Sequence, residues 1–384
     1  MELSDDTVNS TVLNVSDQKV ISDSQFILFI EIFSIVCSSV SLLGSFGNVV
    51  VIRTFKYMGL KDGVTLSFIF LAASDLAYLL TIASQAASLG LHGVEKKNQF
   101  TVFYSVDPFG IYIFLTNLGI MIYLMTVLVT TFLAIARCLC VAIPLKFKNW
   151  FSKKTSVVFF VAFCIVSIVT YIPVLIYMKM IKAYDTRVNA TRYVLWISPK
   201  REEIKQAVWI SRDVFVTFFT QLVVIACVVI LTRSLRTASK FRQTSAAYSL
   251  RQRLDRQVTI FTTETQASLK GSGQSQKQLN ARSDSFTSVS ASNHKVERLS
   301  SKDISVVQQV VLISTVYIVC NMPKICIDVT GMFVPEFTLG KSYQNLYLAF
   351  ICVMEIFQLF NSSIGIFIYY NYNTKFRKNC MLFI

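Results

Sequence analysis

Charge is what this chain of 384 residues has least of. Asp, Glu, Lys and Arg together make up 15%, against about 25% in an ordinary soluble protein. The stretch 109–136 contains none of them. Histidine occurs twice, and the nine cysteines show no Cys/His spacing of the kind that binds zinc. The N-terminus lacks a basic region ahead of an apolar core and carries Glu2, Asp5 and Asp6 instead. No signal peptide is therefore expected, and the first apolar stretch is expected to act as the insertion signal. No internal repeat is visible.

What fills the space left by charge is apolar: 53% of residues are hydrophobic. Seven long stretches stand out, at 26–52, 64–92, 109–136, 155–178, 214–232, 304–331 and 342–370. Inside them the only charges are Glu31, Asp75, Lys324, Asp328 and Glu355. About 20 apolar residues cross a bilayer as a helix, and backbone in lipid must satisfy its own hydrogen bonds. A soluble core has no room for seven such helices. The expected fold is all-α, an integral membrane bundle of seven transmembrane helices plus a short amphipathic helix after the seventh. The expected organisation is an extracellular tail over 1–25 and a seven-span domain over 26–370. A polar, Ser/Thr-rich, disordered third cytoplasmic loop over 240–300 is inserted in that domain, and a cytoplasmic amphipathic helix and tail follow over 371–384.

Net charge of +15 reads as topology. With the N-terminus outside, 24 of the 37 Lys and Arg fall in cytoplasmic segments and 12 in outer ones, as the positive-inside rule requires. Nucleic acid is not needed to explain the basic composition. The plasma membrane is the expected location. Glycosylation acceptors at Asn9, Asn14 and Asn189 all fall outside in this orientation, whereas Asn361 lies within a span. No outer loop contains cysteine, so no disulfide between outer loops is expected.

Ionisable groups within spans are costly and are functional candidates. Asp75 can bond Asn48 of the first span; Thr126, Asn361 and Ser362 could close a polar pocket around it that suits sodium, a hard cation with oxygen ligands. Lys324 and Asp328 are i and i+4 on one helix face. One reading pairs Lys324 with Glu355 or Asp328. The other has Lys324, Asp328 and Glu355, with Tyr123, line an outer ligand cavity. Pro323 removes a ladder hydrogen bond beside Lys324 and is expected to kink the sixth span. Arg137 stands at the inner end of the third span, where it could snorkel to the interface or pair with Asp303 at the start of the sixth.

Six motifs in order resemble the rhodopsin-like G protein-coupled receptors: "GNVV" at Asn48, "LAASD" ending at Asp75, "ARC…IPLK" at Arg137, "CNMP" ending at Pro323, "NSSIGIFIY" ending at Tyr369, and "NTKFRKNC" after it. The resemblance covers 26–380. It implies a receptor that binds an extracellular small molecule or peptide and activates a heterotrimeric G protein. In such a receptor Arg137, Asp303, Pro323 and Tyr369 form the switch, basic loops rest on membrane lipid, and no substrate is turned over by catalysis. Cys380 becomes a palmitoylation candidate. Departures are Ala136 for the acid before the arginine, Asn321 for tryptophan, Gly365-Ile366 for Asn-Pro, Tyr112 for the disulfide cysteine and Gly119 for the amine-binding aspartate. The fifth span lacks its proline. Divergence of this kind resembles invertebrate chemosensory branches, molluscan ones in particular. Peptide receptors are nearer mainstream relatives, and a transporter, channel or non-signalling seven-span protein is the alternative of another class.

Overall fold

The computed structural model describes residues 22–59, 63–142, 152–200, 204, 207–237, 301–337 and 341–382. Asn9, Asn14 and the stretch 240–300 lie outside them.

Seven helices are long and apolar enough to cross a membrane. They are α1 (Asp23–Met58), α2 (Gly63–Lys97), α3 (Pro108–Ala142), α4 (Lys153–Ile176), α5 (Ile210–Thr237), α6 (Ser301–Phe333), and α7 (Gln344–Ser363) continued by α8 (Gly365–Tyr372). A short α9 (Thr374–Cys380) follows. Helices of 35 residues reach about 52 Å, well beyond a hydrocarbon core of about 30 Å, so α2 and α3 stand clear of it by several turns. Caps set the ends. Ser22 and Gln25 form a reciprocal capping box on α1, and Gly59, with φ of 88°, stops that helix. Ser152 caps α4 and Asn373 caps α9.

Polarity is distributed as lipid demands. Val158, Val161, Ile165 and Val169 of α4 face outward, while Asn48, Asp75, Thr126 and Gln358 are buried. α1 lies along α2, α2 along α3, and α7 closes against α1 and α6. Small residues permit the α1–α7 approach. A Cβ at Gly44 would overlap Ser363 Oγ, and one at Gly47 would sit 3.2 Å from Ile366. The helix is interrupted at Ile364, between α7 and α8. The break therefore exists without a proline, just ahead of Gly365-Ile366. α6 runs through Pro323 as one helix.

An antiparallel hairpin, β1 (Met178–Asp185) and β2 (Ala190–Ile197), fills the start of the loop after α4. It docks on the chain entering α3. Asp107 N donates to Tyr193 O at 2.8 Å, and Tyr193 N donates to Ser105 O at 3.0 Å. Leu195 packs over Gly110, where a Cβ would come within 2.8 Å of its own. Asn189 is exposed at the hairpin tip with φ of 52°, and its side-chain oxygen accepts from the Tyr184 hydroxyl.

Candidate functional site

The middle of the bundle holds a polar core. Asp75 of α2 accepts from Thr126 Oγ1 of α3 at 3.0 Å, and Thr126 also reaches Ser74 Oγ at 3.1 Å. Asn48 of α1 donates to Ser362 O of α7 at 2.9 Å and to Gly44 O at 3.2 Å. Asp75 and Asn48 thus do not bond each other directly: Asn48 holds the α7 backbone instead. The Ser362 hydroxyl faces Asp75 without a well-formed hydrogen bond. Asn48, Asp75, Thr130, Asn361, Gly365 and Tyr369 line a cavity of about 20 Å³, enough for one water-sized occupant. Of the five residues expected to form this pocket, Asn48, Asp75 and Asn361 line the cavity; Thr126 bonds Asp75 from α3, and Ser362 meets Asn48 through its carbonyl. A carboxylate, two hydroxyls and an amide oxygen around such a space fit a sodium ion by donor chemistry.

One turn and more toward the hairpin end, the Tyr123 ring lies tilted against that of Tyr78, with centroids 4.9 Å apart, and the Tyr78 hydroxyl donates to Gln358 at 2.6 Å. Tyr123 therefore belongs to the floor above the Asp75 pocket and is not grouped with Lys324. Gln85 donates to Leu115 O at 3.0 Å and lies over Gly119, where a Cβ would come 2.6 Å from its Nε2. The space a side chain at 119 would need is already filled.

The charges expected to share one outer cavity fall into two groups. Lys324 pairs with Asp328 at 2.9 Å and stands 3.8 Å from Asp213 of α5. Arg212 pairs with Asp213 and lies over the Tyr171 ring at 4.0 Å, and Tyr171 donates to Asn117 at 2.8 Å. A π-helical segment, Trp209–Val216, places Arg212 and Asp213 there; such bulges re-aim side chains and recur at functional sites. Glu355 takes no part. It is 3% exposed, and its Oε2 has no hydrogen-bond partner. Of the two pairings weighed for Lys324, the structure forms the one with Asp328.

A cluster that sequence reasoning missed ties down the hairpin. Arg192 of β2 is 2% exposed and contacts three carboxylates: Glu95 at 2.7 Å, Asp185 at 2.8 Å and Asp107 at 3.4 Å. Arg187, on the hairpin turn, adds Asp185 at 2.8 Å and Asp107 at 3.1 Å. Hydrogen bonds from Arg187 hold the Asp185 carboxyl well below the usual carboxylate range. The nine cysteines form no disulfide. At the mouth of α3, where Tyr112 stands in place of a cysteine, this ionic cluster supplies the attachment. The available signal was alternation in "ATRYVLWI", which reads as a strand with Arg192 set into it.

At the opposite end, Arg137 is 6% exposed near the close of α3. The side chain of Asp303 lies outside the described residues. Another restraint on α6 is visible there: Gln309 donates to Tyr372 O at 3.1 Å, and the Ser305 hydroxyl donates to the same carbonyl. Tyr369 packs edge-on against Phe55 and Phe68, both at 5.1 Å, and Phe376 of α9 lies 5.1 Å from Phe55. α9 thus turns Phe376 inward and leaves Lys375, Arg377 and Lys378 exposed. Cys380 is fully buried, and burial pushes its thiol pKa up. Acylation at Cys380 would require α9 to lift from α1.

No family model matches this chain, and no curated protein matches it either.

Proposed function

We propose that this multi-pass membrane protein is a receptor of the rhodopsin-like type. It takes a ligand at the hairpin end, facing the outside, and activates a heterotrimeric G protein at the α9 end. The observation that supports this most is the polar core at Asp75. Polar groups from α1, α2, α3 and α7 meet around a one-water cavity, where a purely structural bundle would place apolar side chains. That cavity lies between the charged groups of the hairpin end and Arg137. Polar contacts there have alternative partners, so helices can slide between two arrangements without losing their hydrogen bonds. A sodium ion held by Asp75, Thr126, Asn361 and Ser362 would favour one arrangement by neutralising the carboxylate.

In this reading a polar or zwitterionic ligand meets Lys324 and Asp328 on α6, with Asp213 of α5 beside them. Its binding favours the state in which α6 moves outward at the α9 end. Gln309 and Ser305 then release Tyr372 O, and Arg137 becomes available to the partner. Chemosensory ligands are the first class to screen, given the molluscan resemblance. The basic face of α9 rests on anionic lipid.

Reconstitution in liposomes tests the proposal against its alternative. With a G protein added, the receptor reading expects accelerated nucleotide exchange in response to a ligand found by screening, and no ion flux. Ion or solute flux without exchange would assign the bundle to a transporter or channel instead.

A further inference from the structure

The hairpin end holds a group of side chains that the receptor reading does not use. His92 and Glu95 are i and i+3 on the last turns of α2, one above the other on a shared face. Asp107 immediately precedes α3. One ligand-type atom from each of the three lies within 4.8 Å of the others. Glu95 is 0% exposed. Its Oε1 accepts from Arg192 at 2.7 Å and from Tyr104 N at 2.9 Å, yet its Oε2 has no partner. Nδ1 of His92 is also buried without a partner, while the ring leans on Phe109 at 4.8 Å. A buried carboxylate oxygen and a buried ring nitrogen without partners are costly unless something else fills them.

Charge points to what that something is. Within the hydrogen-bonded cluster three carboxylates (Glu95, Asp107, Asp185) face two guanidinium groups (Arg187, Arg192). One negative charge is in excess within that cluster, and Glu95 Oε2 is its buried oxygen without a partner. A water could bond that oxygen but would leave the charge uncompensated.

We propose that His92, Glu95 and Asp107 bind a divalent transition ion of the zinc type, bridging the outer ends of α2 and α3. One imidazole nitrogen and two carboxylate oxygens are a borderline donor set, suited to zinc and its neighbours more than to magnesium or calcium, which take oxygen alone. Ligands on a tetrahedral zinc stand about 3.4 Å apart, given bonds of about 2.1 Å. Atoms as far as 4.8 Å apart therefore close by about 1.4 Å when the ion binds, through side-chain rotation. The fourth position is left to water or to a ligand group. Arg192 keeps Asp185, so the hairpin stays attached when the ion is bound.

The test uses the full chain in lipid nanodiscs with zinc chloride as the probe. Its readouts, bound zinc per chain and the thermal unfolding midpoint, do not depend on signalling. The parent is expected to bind zinc at micromolar concentration, with a midpoint raised by several degrees, and millimolar magnesium is expected to give no such rise. His92→Phe keeps the ring packing against Phe109 and removes the nitrogen; it should weaken zinc binding at least tenfold and abolish the rise. His92→Gln serves as the second variant should His92→Phe fold poorly. Equal zinc affinity and equal midpoint shifts in the parent and in whichever variant folds would overturn the proposal, as would absence of bound zinc in the parent at 100-fold higher concentration (on the order of 100 µM).

Discussion

At the scale of residues, Arg192 and Arg187 show how burial decides the worth of a charge. Both touch Asp107 and Asp185, but the Arg192 side chain is 1% exposed and that of Arg187 is 40% exposed. Arg192→Ala would leave the buried Glu95 carboxylate without its cationic partner, and Asp107 and Asp185 with Arg187 alone, at a cost of about 3 kcal/mol or more. Arg187→Ala removes a contact that solvent partly replaces, at about 1 kcal/mol or less. Thermal unfolding of purified protein should therefore separate the two variants clearly, and equal losses would contradict the cluster's arrangement. The depressed Asp185 pKa adds a pH window. Its contribution is fully present above the unfolded carboxylate value of about 3.9. It is lost as pH falls below that, through the folded value. Hydrogen exchange of the hairpin amides should thus report equal hairpin protection at pH 7 and pH 5, with release only in stronger acid. Lys324 offers a third test. Because its partner is Asp328, the double change Lys324→Asp with Asp328→Lys should retain stability better than either single change. Exchanging Lys324 with Glu355 should rescue nothing.

At the scale of elements, the approach of α1 to α7 rests on glycine. At Gly44 even one methyl would overlap Ser363, and the Asn48 bond to Ser362 O depends on that approach. Gly44→Val should force the helices apart, lower the unfolding midpoint by several degrees and open the Asp75 pocket. Conformation-independent expression with an unchanged midpoint would show that α1 tolerates displacement. Most helices were legible because apolar length alone specifies a span in lipid. The hairpin was not, since its strands lie among charged residues and its docking depends on Arg192 finding acids from three other segments. The break at Ile364 was missed for a related reason. Gly365-Ile366 offers no proline to mark it, and α1 and the Asn48 bond to Ser362 O bear on this stretch of backbone from outside.

At the scale of the whole molecule, α1 joins the two ends: Glu31 meets Lys97 at 2.8 Å at the hairpin end, and Phe55 meets Phe376 at the other. Between them lies the polar core. Its residues were legible as motifs because a carboxylate and amides inside apolar runs are conspicuous. The grouping of Lys324, Glu355 and Tyr123 was not legible, because sequence spacing does not say which helix faces which. Tyr123 belongs with Tyr78, and Lys324 with Asp328 and Asp213. The central claim is that this bundle couples its α9 end to a G protein through Arg137, held back in part by Gln309 at Tyr372 O. The most direct measurement is ligand-independent nucleotide exchange on a purified heterotrimeric G protein, with parent, Gln309→Ala and Arg137→Ala receptors in nanodiscs at equal folded concentration. Loss of one hydrogen bond is worth about 1 kcal/mol, so Gln309→Ala should raise exchange about fivefold over the parent. Arg137→Ala should bring exchange down to that of empty nanodiscs. Exchange equal to that of empty nanodiscs for the parent and for Gln309→Ala alike would contradict the account.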